Sequence, residues 1–493
     1  HLDYSPDEEG FQWYGALAVA RGEVPLRDFY SYDPGRYYWG ALWVPLLGGG
    51  LLTLRLGTAV FGAAGLFCGL AAARRVTPSR WLLALLGALL LLWMLPRNKL
   101  FEPAVAMAAV WAAVALIERP SLSRHFACGA LTGFGAWMGK NHGAYLFAAF
   151  LPLILFIHLR LEPPDEGGAL RLGRKLAAWG GGMAAGAAPL LLMLAAVSGF
   201  WRSYVDSILF FLEQGRTNFP LPIPWPWRIR WGGPPLYEAQ ALALGCCFLL
   251  PAVLALGGGL LALGTTPANR DRRKLLLAAL AVGLVYSHHA FSRADLAHLG
   301  SSIQPLLLAT VALPAVLGEG RRKRMAMALA VLFLVASTAL VAVPANLLFQ
   351  QLTIGRFVFA HQVAGEEIRL RAPVADLLDW VEEVVPAKVP AGEAIFLAPN
   401  MPGLYPVLGR RSPVWDIYPI WPAAGKLDAR MLAELERGDV RWALVQNASV
   451  DGRDEFRFRN THPLVWDYLM EHFEMTDAWK PRHPFRCMLL HRR

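Results

Sequence analysis

The chain has 493 residues, of which 55% are hydrophobic and 17% charged, with mean hydropathy +0.37. A soluble domain carries about 25% charged residues, and the deficit here lies in apolar blocks near the ~20 residues that cross a bilayer, which excludes an ordinary soluble protein. The formal net charge of +10 falls largely in short loops between those blocks, the pattern that orients membrane proteins rather than the concentrated patch that binds nucleic acid.

The first segment, YSPDEEGFQWYGALAVARGEVPLRDFYSYDPGRYYWG, carries three consecutive acids, Asp7, Glu8 and Glu9, with Asp28 and Asp33 further along. Carboxylates beside a bilayer are costly to bury and must stay within reach of water or a cationic partner. They are the first candidates for chemistry. The stretch 37–50 is apolar but short, and Pro45 and Gly48-Gly49-Gly50 break it. It predicts an interfacial or re-entrant helix leading into the first span.

Apolar runs follow at about 54–73, 81–95, 103–118, 125–139, 143–159, 176–199, 237–263, 275–290, 299–317 and 325–346. Their connections alternate in charge. Arg74, Arg75 and Arg80 lie in the first, Arg119 and Arg124 in the third, Arg160, Arg171, Arg174 and Lys175 in the fifth, Arg270, Arg272, Arg273 and Lys274 in the seventh, and Arg321, Arg322, Lys323 and Arg324 in the ninth. Basic odd connections face the cytoplasm. The even ones, the acidic N-terminal segment and everything after about 350 are then external. An external N-terminus predicts one more span ahead of His1, about eleven in the full gene. Of the five cysteines, only Cys487 lies outside an apolar run, and no CxxC pair or Cys/His spacing suggests a metal site or a disulfide framework.

After about 366 the pattern changes. Helix-like stretches 374–385, 427–438 and 462–473 alternate with strand-like stretches 394–399, 440–448 and 487–491. This predicts a small α/β domain with a partly parallel sheet, with no phosphate loop or catalytic triad, and a role as lid or acceptor-recognition domain. The expected fold is a polytopic α-helical membrane protein of about ten spans with a C-terminal extracytoplasmic α/β domain. Its divisions are 1–50 (first external loop), 51–350 (helical bundle) and 351–493 (α/β domain).

The external connections bring candidate site residues to the ends of apolar runs: Arg97, Lys99 and Glu102; Lys140, Asn141 and His142; Arg202, Asp206, Glu213 and Arg216; His288, His289, Arg293, Asp295 and His298. Cations beside carboxylates suit a substrate with a phosphate and a reacting hydroxyl. Each has a plainer explanation. Asp7 competes with a solvated loop acid, Arg97 and Lys99 with snorkelling side chains, and Lys140 with an interfacial anchor. The histidines are better read as hydrogen-bonded helix ends than as metal ligands, since no further ligands accompany them. Arg293 and Asp295 cannot face each other on a helix and predict a loop or separate partners. The Pro/Trp-rich stretch 220–231 is an interfacial belt or a sugar-stacking platform, the belt being commoner.

The DE-G segment, the following ARGEVPLRDFYSYDPGRYYWGAL and the many spans resemble the GT-C glycosyltransferases. The nearest likeness is to the bacterial branch related to protein mannosyltransferases and aminoarabinose transferases, and FSRADLAHL and PGLYPVLGRRSP look like its members too. The resemblance spans nearly the whole chain, and it implies a bacterial inner-membrane enzyme of envelope glycan biosynthesis. The donor would be a polyprenyl-phosphate sugar, and the acceptor a glycan, lipid or protein hydroxyl. Asp7 would be the general base of a single inverting displacement at the external face, with Glu8 next in line. Arg97, Lys99, Lys140 and Arg293 would hold the leaving phosphate, with Glu102, His142, Asp295 and His298 completing the substrate-binding set. Some relatives use a divalent metal (Mg or Mn) and others do not; here Asp7 and Glu8 would be its ligands. The extra acid Glu9 departs from the family spacing and leaves open which carboxylate meets the acceptor. Two other functions fit less well. A transporter or flippase of a lipid-linked glycan lacks the expected inverted repeat, and a non-catalytic envelope assembly protein has no need of the acids.

Overall fold

The computed structural model describes residues 1–77, 79–162, 168–317, 319–422, 425–479 and 487–493. The chain divides into two compact units. One joins His1–Gly57 to Gln350–Arg493, and the other is Thr58–Phe349. The N-terminal segment and the C-terminal α/β region, which the sequence presents as separate divisions, thus belong to a single body.

The first unit opens with α1 (Glu8–Ala20), α2 (Pro34–Leu47) and the start of α3 (Leu51–Arg74). Helix α1 is buried along nearly its whole length because two glycines let neighbours close on it. A Cβ at Gly10 would strike the backbone of Gly403, and one at Gly15 would strike the ring of Tyr37. Phe11 sits in an aromatic cage with Tyr30, Tyr32, Tyr37 and Tyr418, ring centroids 5.0–6.1 Å apart. Pro34 starts α2, where its fixed φ suits a first helical turn. Leu46 and Leu47 at its far end are exposed. The N-terminus of α3 is closed by Glu366, whose carboxylate accepts from the Leu52 N–H at 2.8 Å, a favourable place for a negative charge.

The rest of this unit contains a hairpin, β1 (Phe359–Val363) and β2 (Glu366–Leu370), and a four-stranded sheet of β3 (Ile395–Ala398), β4 (Trp442–Gln446), β5 (Phe473–Trp479) and β6 (Cys487–Arg492). The sheet order is β3-β4-β6-β5. The β3–β4 pair is parallel, and the other two pairs are antiparallel. Helices Ala372–Lys388, Lys426–Arg437 and Pro463–His472 occupy the three helix-like stretches. Phe396, Val445 and Leu490 of the sheet share a core with Met431, Leu435 and Leu469 of the helices. The sequence pattern misses three strands. In β1–β2 the turn is Ala364-Gly365, both with positive φ, the hairpin geometry that Asn-Gly normally signals. Strand β5 is a half-exposed edge without apolar alternation.

The second unit continues α3 and adds α4 (Arg80–Leu92), α5 (Phe101–Glu118), α6 (Leu122–Met138), α7 (Lys140–Phe156), α8 (Gly168–Gly186), α9 (Ala188–Ala196), α10 (Phe200–Gln214), α11 (Pro235–Leu263), α12 (Arg270–Ser292), α13 (Leu296–Gly300), α14 (Gln304–Val316) and α15 (Arg321–Ser337). Among the described residues, six helical stretches are long and apolar enough to cross a membrane, seven if the α8–α9 pair, bent by 60°, counts as one. This is fewer than the ten apolar runs. Runs 81–95, 125–139 and 299–317 supply helices of 13, 17 and 13 residues in α4, α6 and α14, short of the ~20 that span a bilayer unaided. Helix α5 is central, with 72% of its apolar stretch buried, while Arg321–Ala345 at 28% lies at the periphery. Helices α6 and α8 meet backbone to backbone: Gly129 and Gly133 face the carbonyls of Trp179 and Met183, and Gly182 and Gly186 face those of Phe126 and Ala130. Small residues four apart on both helices are what close packing in lipid requires.

Candidate functional site

Each unit carries its own polar cluster. In the first, the three acids have separate partners. Asp7 is the N-cap of α1, and its Oδ1 accepts from the Glu8 N–H at 2.7 Å and from the Ser5 hydroxyl. Capping fixes the carboxylate at the positive end of a helix. Glu8 follows in the first turn, and both residues are half-buried. Glu9 is buried and forms a two-pronged ion pair with Arg55, at 2.8 and 2.9 Å. Arg55 also donates to the Asp3 carbonyl at 2.5 Å.

Two tyrosines register this arrangement. The Tyr418 hydroxyl is pushed well up, by burial first and then by the charges of Asp7 and Glu8. The Tyr4 hydroxyl is also pushed well up, by burial, Glu9 and Asp7, with Arg55 opposing. Asp7 and Glu8 therefore share a neighbourhood with Tyr418, and Glu9 is committed to Arg55. Of the other acids, Asp28 accepts from the Val24 N–H at 2.7 Å and pairs with Arg27, and Asp33 is the N-cap of α2.

Near Tyr418, Asp416 is buried, and its Oδ1 accepts from the Tyr418 N–H at 3.0 Å. Burial pushes its carboxyl up to about 7, against the pull of that N–H and of Arg430. A carboxyl raised on folding stabilises the fold at low pH, and the benefit is lost as pH rises from the ordinary carboxylate value of about 4 through about 7. The thermal midpoint is expected to fall over this window, and Asp416→Asn to flatten the dependence. Parallel melting curves at pH 5 and pH 8 for both proteins check this.

In the second unit, polar side chains gather where α5 and α7 begin and where α12 gives way to α13. Lys99 lies on a short 3-10 turn, Arg97–Lys99, just ahead of α5, and Glu102 lies in the first turn of α5. Both are buried, at 8% and 4% exposure, so Lys99 is not a side chain reaching out to the interface. His142, in the first turn of α7, is 1% exposed. Its ring stacks on Tyr286 at 5.9 Å, and its Nδ1 is 3.3 Å from the Tyr286 hydroxyl. His289 at the end of α12 lies within electrostatic reach of Glu102, His142, Lys99 and His298, and its ring is 5.1 Å from that of His298.

His298 Nδ1 and backbone N–H both meet Asp295 Oδ1, at 2.8 and 2.9 Å. Arg293 donates to Asp295 Oδ2 at 2.6 Å and to the Phe219 carbonyl at 3.2 Å. Arg293 and Asp295 sit in extended backbone between α12 and α13, where residues two apart share a side, so the loop permits the pair a helix forbids. Burial pushes the Asp295 carboxyl up, but His298 and then Arg293 together outweigh it and hold the group below the usual range.

The remaining candidates are dispersed. The Lys140 ammonium stands over the Tyr204 ring at 4.8 Å, and Arg97 is half-buried. His288 Nδ1 is 2.8 Å from the Tyr145 hydroxyl, while Arg202, Asp206 and Glu213 are exposed. Among the described residues, no group of three or more His, Cys, Asp or Glu is placed to hold a metal. Sequence reasoning missed Arg55, Tyr286 and Tyr418. Arg55 had a signal, since a lone charge inside an apolar run needs a buried partner; the tyrosines had none.

No family model matches the sequence, and no curated protein matches it. Among solved structures, the chain is similar to ArnT from Cupriavidus metallidurans bound to undecaprenyl phosphate, with a TM-score of 0.47 and 15% identity over 99% of this chain and 94% of that one. It is also similar to ArnT from Cupriavidus metallidurans in the apo state, with a TM-score of 0.45 and 14% identity over the same shares.

Proposed function

We propose that the chain is a membrane glycosyltransferase of the GT-C kind, acting at the external face of a bacterial inner membrane in which its ten apolar runs are embedded. It moves a hexosyl or pentosyl group from a polyprenyl-phosphate donor to an acceptor hydroxyl with inversion. The observation that carries this reading is the set of Lys99, Glu102, His142 and His298, all buried, with His289 half-buried beside them, at one end of an apolar bundle. Charges and imidazoles so placed are costly and mark a functional site. A cation at this depth is what a departing lipid phosphate requires.

In the step itself, Asp7 takes the proton of the acceptor hydroxyl. The freed oxygen pair forms the new bond to the anomeric carbon, and the carbon–oxygen bond to phosphate breaks with its electrons leaving on the phosphate. Lys99 and Arg293 offset that charge, and Asp295, held by His298, orients Arg293. The α/β region sharing a body with the Asp7 segment suits acceptor recognition.

The reading is tested with purified protein and a radiolabelled polyprenyl-phosphate sugar. Formation of a new glycosidic bond is expected, and movement of label across the membrane without one would instead indicate a transporter. Lys99→Ala and Arg293→Ala are each expected to raise the KM for donor about tenfold, the loss of one charge-assisted hydrogen bond. Unchanged donor use in both would remove the cations from the site.

A further inference from the structure

We propose that the bundle carries a second anion site, at the end bearing the basic connections, built to hold a phosphate-bearing headgroup. A cavity of about 500 Å³ there is lined by Arg75, Glu118, Arg119, Arg124, Arg270 and Asp271. Its size falls within the roughly 300–1,000 Å³ of small-molecule sites. The residues come from three connections distant in sequence, α3–α4, α5–α6 and α11–α12, so the fold has brought four guanidiniums together. Like charges converge at a cost unless something negative sits among them.

The protein supplies two carboxylates, and both are engaged. Glu118 pairs with Arg75 and, at 2.8 Å, with Lys274, and Asp271 lies 3.7 Å from Lys274. Arg124 donates to the Ala115 carbonyl near the end of α5. This much is ordinary closure of helix C-termini by cations. That explanation does not reach the other two arginines. Among the described residues, Arg270 Nε is buried with no hydrogen-bond acceptor, and Arg119 is exposed beside the cavity. Both retain donors suited to the two-pronged recognition of phosphate oxygens. Basic pockets among helices at a membrane surface take anionic lipid headgroups by this chemistry, and free phosphate offers the same oxygens. The site shares no residue with the Lys99–His298 cluster and stands independently of the glycosyltransfer reading.

The test uses the full chain in phosphatidylcholine nanodiscs, with phosphatidylglycerol or inorganic phosphate as probe. Thermal midpoint and native mass spectrometry are the readouts. Retention of phosphatidylglycerol that Arg119→Gln and Arg270→Gln each cut about tenfold supports a headgroup site. A midpoint raised by inorganic phosphate in the wild type but not in these variants supports the same site filled from solution. If phosphatidylglycerol is not retained and inorganic phosphate does not raise the midpoint, or if both variants respond as the wild type does, the proposal fails. Arg119 is exposed, so its variant is expected to fold with an unchanged midpoint without probe and carries the test should Arg270→Gln not fold.

Discussion

Asp7→Asn is expected to slow sugar transfer by about a hundred- to ten-thousand-fold, the contribution of a positioned general base, with little change in stability. The substitution is unusually clean because Asp7 also caps α1, accepting from the Glu8 N–H and the Ser5 hydroxyl. Asn caps a helix about as well as Asp, so the cap survives while the basic oxygen is lost. Single-turnover transfer of radiolabelled donor, alongside a melting curve, separates the two roles. Glu8→Gln serves as the comparison, since Glu8 shares the surroundings of Tyr418. If Asp7→Asn transfers at the wild-type rate while Glu8→Gln does not, Glu8 is the base. If both transfer normally, neither is.

Glu9→Gln is expected to act on stability instead, by about 3–5 kcal/mol, because it leaves the Arg55 guanidinium buried without its counter-charge. The pair is nearly closed to solvent, with side-chain exposures of 13% for Arg55 and 4% for Glu9, so screening by water offsets little of that loss. Removing both charges at once, as Glu9→Gln with Arg55→Met, is expected to recover much of the loss, since an apolar replacement of a whole buried pair is often close to neutral. Thermal unfolding of the two single variants and the double variant gives the coupling directly. A Glu9→Gln protein that melts normally but transfers no sugar would give Glu9 the chemical role instead.

The sequence located the acids but could not divide their labour. DEEG presents three carboxylates in succession, and spacing alone does not say which one a distant arginine claims. The claim is made by Arg55, 46 residues on, and is settled by the fold of α3 against α1. Gly10 is similar. As a residue in DEEG it is part of a motif, and only packing shows that the backbone of Gly403 needs the space a Cβ would fill. Arg293 and Asp295 show the reverse limit. Helical spacing left a loop or separate partners open, and the extended backbone between α12 and α13 decided for the loop pair.

By itself the sequence determined what is set by composition along the chain: the apolar helices, the alternation of basic connections, and the helices and buried strands of the C-terminal region. These follow from local hydrophobicity and period, which each segment carries whatever surrounds it. Tertiary structure alone decided how many helices are long enough to cross a bilayer, that the first segment and the last form one body, and which charged groups are partnered. Those outcomes rest on contacts between residues tens to hundreds of positions apart, and the burial that makes a charge costly or useful exists only once the chain has folded.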